Sequence, residues 1–177
     1  MNAIQTIQTE AEHAFKGFLS AIEGVDEKLS WATAPLHEGE YLHNNASILG
    51  MVQHVAGCKI MYASAGFKNT EVRWRDVVTR LEEIASDWQK TIEYLHESQI
   101  YWLSSWQNLN DEDLTSVAKT NWGETWPIWK IIHTITAHDA YHAGQIALLK
   151  TILSPTSTPP QSMAEMTKTY LADSPSW

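Results

Sequence analysis

The sequence predicts an all-α protein, a four-helix bundle with long connections between helices 1 and 2 and between helices 3 and 4. Two observations carry this prediction. Four separate stretches place apolar residues at i, i+3 and i+4, the spacing that lines one side of a helix. No stretch shows the strict apolar–polar alternation of a half-buried strand. A chain of 177 residues suits one domain with a sizeable core. The expected division is a bundle over residues 1–153 and an irregular C-terminal tail over 154–177.

Helix 1 is expected from Ala3 to Ile22, with Ile4, Ile7, Ala11, Ala14, Phe15, Phe18 and Ile22 as its stripe and His13 at the stripe's edge. From Gly24 to Asn45 the pattern fails, and Pro35, Gly39 and the Asn44-Asn45 pair mark a long connection that carries His37 and His43. Helix 2 is expected from Ala46 to Gly66, capped by Asn45 or Ser47. Lys68 to Arg75 is polar, and Arg73 and Arg75 around Trp74 read as a solvated face. Helix 3 is expected as one long element from Asp76 to Gln107, with Leu81, Ile84, Trp88, Ile92, Leu95, Gln99, Trp102, Leu103 and Trp106 inward and His96 off the stripe. Asn108 to Glu124 reads as irregular. Helix 4 is expected from Pro127 to Leu153, because proline is pre-shaped for the first helical position. Three prolines between Ser154 and Ser162 open the tail, with a short helix from Met163 to Ala172 inside it.

Composition narrows the function classes. The net charge is −9 and only 12 residues are Lys or Arg, so no surface built to neutralise phosphates is expected and nucleic acid is a poor partner. The single cysteine, Cys58, excludes an internal disulfide and suits a reducing cytoplasm. Nowhere do 18 apolar residues run together, and Met1 to Glu12 has no basic leader, so no membrane segment is expected. Nine tryptophans are many for this length, and some are expected at a pocket or a subunit interface.

The chemistry concentrates in helix 4. At about 100° per residue, His138 and His142 fall about 40° apart on the stripe of Ile131, Ile135 and Leu149, so both imidazoles point inward. A lone inward histidine is most simply a satisfied core residue. Two at i and i+4 each need a partner, and one metal ion supplies it to both. His133 lies about 140° from His138 and drops out. On helix 2, the face through Gly50, Met51, Gly57, Cys58 and Met61 carries His54 inward. The flanking glycines read either as room for a ligand or as close helix packing. Cys58 could add a thiolate but reads better as a small hydrophobe. Three imidazoles leave coordination positions open, which is a catalytic rather than a structural pattern, and zinc or nickel suits them best. Through an open position such an ion can activate a water or thiol, or polarise a carbonyl.

The His138-Asp139-Ala140-Tyr141-His142 run resembles the helix of zinc proteases, but Asp139 is one methylene short of their glutamate. Asp139 reads as supporting a ligand or as solvated. A ferritin-like di-iron site would need Glu-x-x-His pairs facing the metal, and the metal-face residues supply no such carboxylates. The run His138-Asp139-Ala140-Tyr141-His142-Ala143-Gly144-Gln145-Ile146, with Met51-Val52-Gln53-His54 upstream, resembles the DinB-like (damage-inducible) family of four-helix-bundle metalloproteins over about residues 1–153. The resemblance implies that His54, His138 and His142 hold a divalent metal, commonly zinc or nickel. It also implies a homodimer, and packing and supporting roles for Gly144 and Gln145. Some branches are transferases or isomerases that use low-molecular-weight thiols. The expected function is a cytoplasmic metal-dependent enzyme, a thiol-dependent S-transferase or a hydrolase acting on a small molecule. The alternative is a non-catalytic dimeric metal-binding or stress-related bundle.

Overall fold

A computed structural model describes residues 2–33 and 47–153. Within them the chain is mainly helical: α1 (Ala3–Ile22), α2 (Glu27–Trp31), α3 (Ile48–Phe67), α4 (Trp74–Ile84), α5 (Trp88–Trp106) and α6 (Ile128–Leu153). Two short strands, β1 (Val117–Lys119) and β2 (Thr125–Pro127), pair antiparallel between α5 and α6. The expected Asn45 cap, the tail and its short helix, and His37 and His43 lie outside the described residues.

α1, α3 and α5 each start where a side chain takes up a free amide. At α1 the Asn2 side chain accepts from the Gln5 N–H (3.0 Å) while Gln5 Oε1 accepts from the Asn2 N–H (3.2 Å), a reciprocal capping box. The distant Asp111 carboxylate accepts from the N–H groups of Ala3 and Ile4, so the acidic stretch before the hairpin complements the positive end of α1. Ser47 caps α3 through the Gly50 N–H at 3.0 Å. At the other end of α1, Lys150 Nζ of α6 donates to the carbonyls of Ala21 (3.0 Å) and Glu23 (2.7 Å).

Several expectations are corrected, the first within Gly24 to Asn45, where the connection holds the short helix α2, capped by Asp26 through the Leu29 N–H at 2.7 Å. The long third helix is broken into α4 and α5. Ala85 ends α4 at φ 41°, ψ −113°, its carbonyl accepts from Gln53 Nε2 of α3 (2.7 Å), and Asp87 caps α5 through the Lys90 N–H (2.9 Å). The apolar stripe runs through this break because both helices face α3, so periodicity alone could not reveal it. The stretch read as irregular holds the β1–β2 hairpin. Three pairs (Val117–Pro127, Ala118–Trp126, Lys119–Thr125) are too few for alternation to register, and Gly123 at φ 92° turns the connecting loop. Pro127 accordingly closes β2, and α6 begins one residue later at Ile128, whose N–H donates to the Ser116 carbonyl at 2.8 Å.

The long helices pack α1 on α6, α3 on α5 and α3 on α6. Their shared core is divided. One cluster holds Phe15, Phe18, Val52, Val55, Leu95 and Ile146, and the other Ala11, Ala63, Trp102, Trp106, Ile131 and Ile135. Between the clusters, α3, α5 and α6 each contribute buried polar side chains: Lys59, Ser98 with Gln99, and Asp139 with His142. The core is therefore two apolar halves separated by a polar layer.

Candidate metal centre

His54 stands in the second turn of α3, and His138 and His142 one turn apart in the middle of α6. The packing of α3 against α6 brings the three rings together. One nitrogen of each lies within 4.8 Å of the others, close enough to hold a metal ion. His138 Nε2 is 3.1 Å from His54 Nε2 and also 3.1 Å from His142 Nε2. An imidazole nitrogen carries either one proton or one lone pair, so a single Nε2 cannot make two good hydrogen bonds to two further ring nitrogens. A cation resolves this, because all three lone pairs then point at one centre. Nitrogens about 2.0–2.1 Å from a zinc ion, at ligand angles between octahedral and tetrahedral, lie about 2.9–3.4 Å apart, and the observed spacing falls inside that range. The donor set therefore fits a divalent ion. Among the described residues no other His, Cys, Asp or Glu joins this group, so an ion held there would have three protein ligands and open coordination positions.

The surroundings are half dry. His142 is buried at 4% exposure, while His54 and His138 are partly exposed, which puts the cluster at the edge of the core with a side toward solvent. The Tyr141 ring meets His142 edge-on at 5.0 Å, and Gln145 Nε2 donates to the Tyr141 hydroxyl at 2.9 Å, so Gln145 supports the site through Tyr141. Gly144 has no described neighbour within 4 Å of where a Cβ would sit, so the packing role implied for it is not seen. Gly57 is needed for packing: a Cβ there would lie 3.2 Å from Val77 Cγ1 of α4, so its absent side chain makes room for a helix rather than a ligand.

Cys58 Sγ lies 3.7 Å from His54 Nε2 but outside the three-nitrogen group. Burial pushes its thiol up to about 12, so it stands beside the cluster as a neutral thiol. His96 and His133 are exposed, as expected off their stripes, and so is His13 at the edge of its own.

Sequence reasoning missed Lys59. Its ammonium donates to Asp139 Oδ2 at 2.5 Å, and both side chains are buried. Asp139 is thus not solvated: it faces the core beside His138 and ties α6 to α3. Burial pushes the Lys59 ammonium down and the Asp139 carboxyl up, while the attraction between them acts against both shifts. The signal was present, since Lys59 is the only charged residue of α3 and Asp139 the only acidic residue of α6. A charge on the inward face of a helix needs an opposite partner, and these two lie on helices that pack together. No protein-family model matches this sequence, and no curated protein matches it.

Proposed function

We propose that the protein is a metal-dependent enzyme of the DinB-like four-helix-bundle kind, with His54, His138 and His142 holding one divalent ion, zinc or nickel. The observation that carries this is the double 3.1 Å approach at His138 Nε2, which one cation accounts for and hydrogen bonding does not. The ion would supply Lewis acidity at positions left to a small-molecule substrate, with a low-molecular-weight thiol as the co-substrate class. Around it the chain's own groups divide the work. Ile135, three residues before His138, and Ile146, four after His142, are buried, Tyr141 packs against the His142 ring, and Gln145 holds the Tyr141 hydroxyl. The exposed side of His54 and His138 is where substrate would approach. The reaction classes that suit this arrangement are transfer of a thiol to an electrophile and hydrolysis, carried out by a cytoplasmic homodimer.

The decisive experiment is elemental analysis of protein purified without a metal-affinity tag, followed by zinc and nickel reconstitution. About one equivalent per chain is expected. Less than about a tenth of an equivalent after reconstitution removes the proposal. Turnover of electrophiles that depends on both metal and added thiol would then distinguish transfer from hydrolysis.

A further inference from the structure

The polar layer that divides the core contains an ion pair whose energetics call for an explanation. Lys59 is 1% exposed and Asp139 equally so, and they meet at 2.5 Å in the space between the two apolar clusters. The pair is incompletely compensated. Among the described residues Asp139 Oδ1 is buried with no hydrogen-bond partner, and beyond Asp139 the ammonium has the face of the Phe15 ring at 5.2 Å. Such a pair gains little over apolar residues of similar volume, because removing two charges from water costs about as much as their attraction returns. Stability therefore does not account for it, whereas placement does.

Asp139 directly follows His138 and precedes His142 by three residues, and Lys59 follows His54 by five. At about 1.5 Å of rise per residue, the tie lies within about 8 Å along the axis of every ligand, on the same pair of helices. Apolar side chains from Val52 to Ala63 and from Ile131 to Leu149 would tolerate sliding of α3 along α6 in small steps, since their contacts are not directional. The 2.5 Å contact does not tolerate it: a displacement of one helical turn, about 5.4 Å, would separate the two charges inside a dry core. The same displacement would carry His54 away from His138.

We propose that the buried Lys59–Asp139 pair is the positioning element of the three-histidine centre, locking α3 and α6 in the one register at which His54 meets His138 and His142. The inference rests on the metal-site reading above. Neither residue is a ligand, and both act through the helices that carry the ligands. Outer partners that orient metal ligands typically alter metal affinity by about 10–100-fold when removed, and a loss in that range is expected here.

The test compares zinc affinity, by competition with a chromophoric chelator, and the Co²⁺ visible spectrum in four proteins: wild type, Lys59→Met, Asp139→Asn and the double variant Lys59→Met/Asp139→Leu. The double variant removes both charges together and keeps the fold available even if a single variant, left with an unpaired buried charge, fails to fold. The positioning role predicts that every folded variant loses about 10–100-fold in zinc affinity, with altered Co²⁺ bands, the double variant included. Wild-type affinity and spectrum in the folded double variant would overturn it, since the pair would then be only a filler of the core. A wild type that takes up neither zinc nor cobalt removes the metal-site reading itself, an outcome distinct from equal binding by wild type and variants.

Discussion

Replacing His138 by alanine removes the nitrogen shared by both 3.1 Å contacts. Loss of a direct ligand should exceed the roughly 100-fold weakening typical of removing an outer partner, which corresponds to more than about 2.7 kcal/mol of binding free energy. The effect can be read as stability, because an ion that binds only the folded chain stabilises it by about 2.7 kcal/mol at 100 times its dissociation constant. At the same zinc concentration a variant with 100-fold weaker binding gains only about 0.4 kcal/mol. For a chain of this length about 1 kcal/mol moves the midpoint by roughly 2–4 °C, so zinc should raise the wild-type melting temperature by about 5–11 °C and that of His138→Ala by about 1–2 °C. Differential scanning calorimetry with and without zinc, in a buffer free of chelators, measures both. Without metal the two proteins should melt close together, because His138 is partly exposed and its loss leaves little cavity. An equal zinc-induced rise in both proteins would refute the assignment of His138 as a ligand.

Ala85 sits at φ 41°, ψ −113°, where a Cβ is crowded, so Ala85→Gly should stabilise the protein by about 1 kcal/mol in urea unfolding; a lower midpoint would show that the break between α4 and α5 is unstrained. Burial holds the Tyr94 phenol up to about 12, with the Glu97 charge adding to the rise and Arg80 opposing it. The unfolded chain releases that proton near pH 10, so the stabilisation from Tyr94 is complete below pH 10 and is lost as pH rises to about 12, a change on the order of 2–3 kcal/mol. Tyr94→Phe should flatten the stability-against-pH curve over that window, and parallel curves for the two proteins would contradict the burial argument. Cys58, kept as a neutral thiol by the same cause, should not react with a disulfide reagent at pH 8 in the native state and should give one equivalent in denaturant; prompt reaction of the native protein would mean that the thiol is open to solvent.

Much of this molecule is local and was legible before folding. The limits of α1 and the Ser47 cap follow from periodicity and capping chemistry, which act within a few residues. The inward faces of His54, His138 and His142 also follow, because a helix converts spacing into direction whatever lies around it. Partnership between distant segments was not legible. The break at Ala85 depends on Gln53 of another helix capturing a carbonyl, and the hairpin depends on three residue pairs closing over a loop. Neither leaves a periodic trace. The sharpest case is Asp139. Helical geometry left it either solvated or in support of a ligand, since it lies about 100° from His138. Only the packing of α3 on α6 set Lys59 against it and placed the pair in a polar layer between two apolar halves of the core. The sequence alone thus determined the shared inward direction of His54, His138 and His142, since direction along a helix is a property of each helix by itself. Tertiary structure decided which inward side chains meet, because the register between two helices is a joint property that neither carries alone.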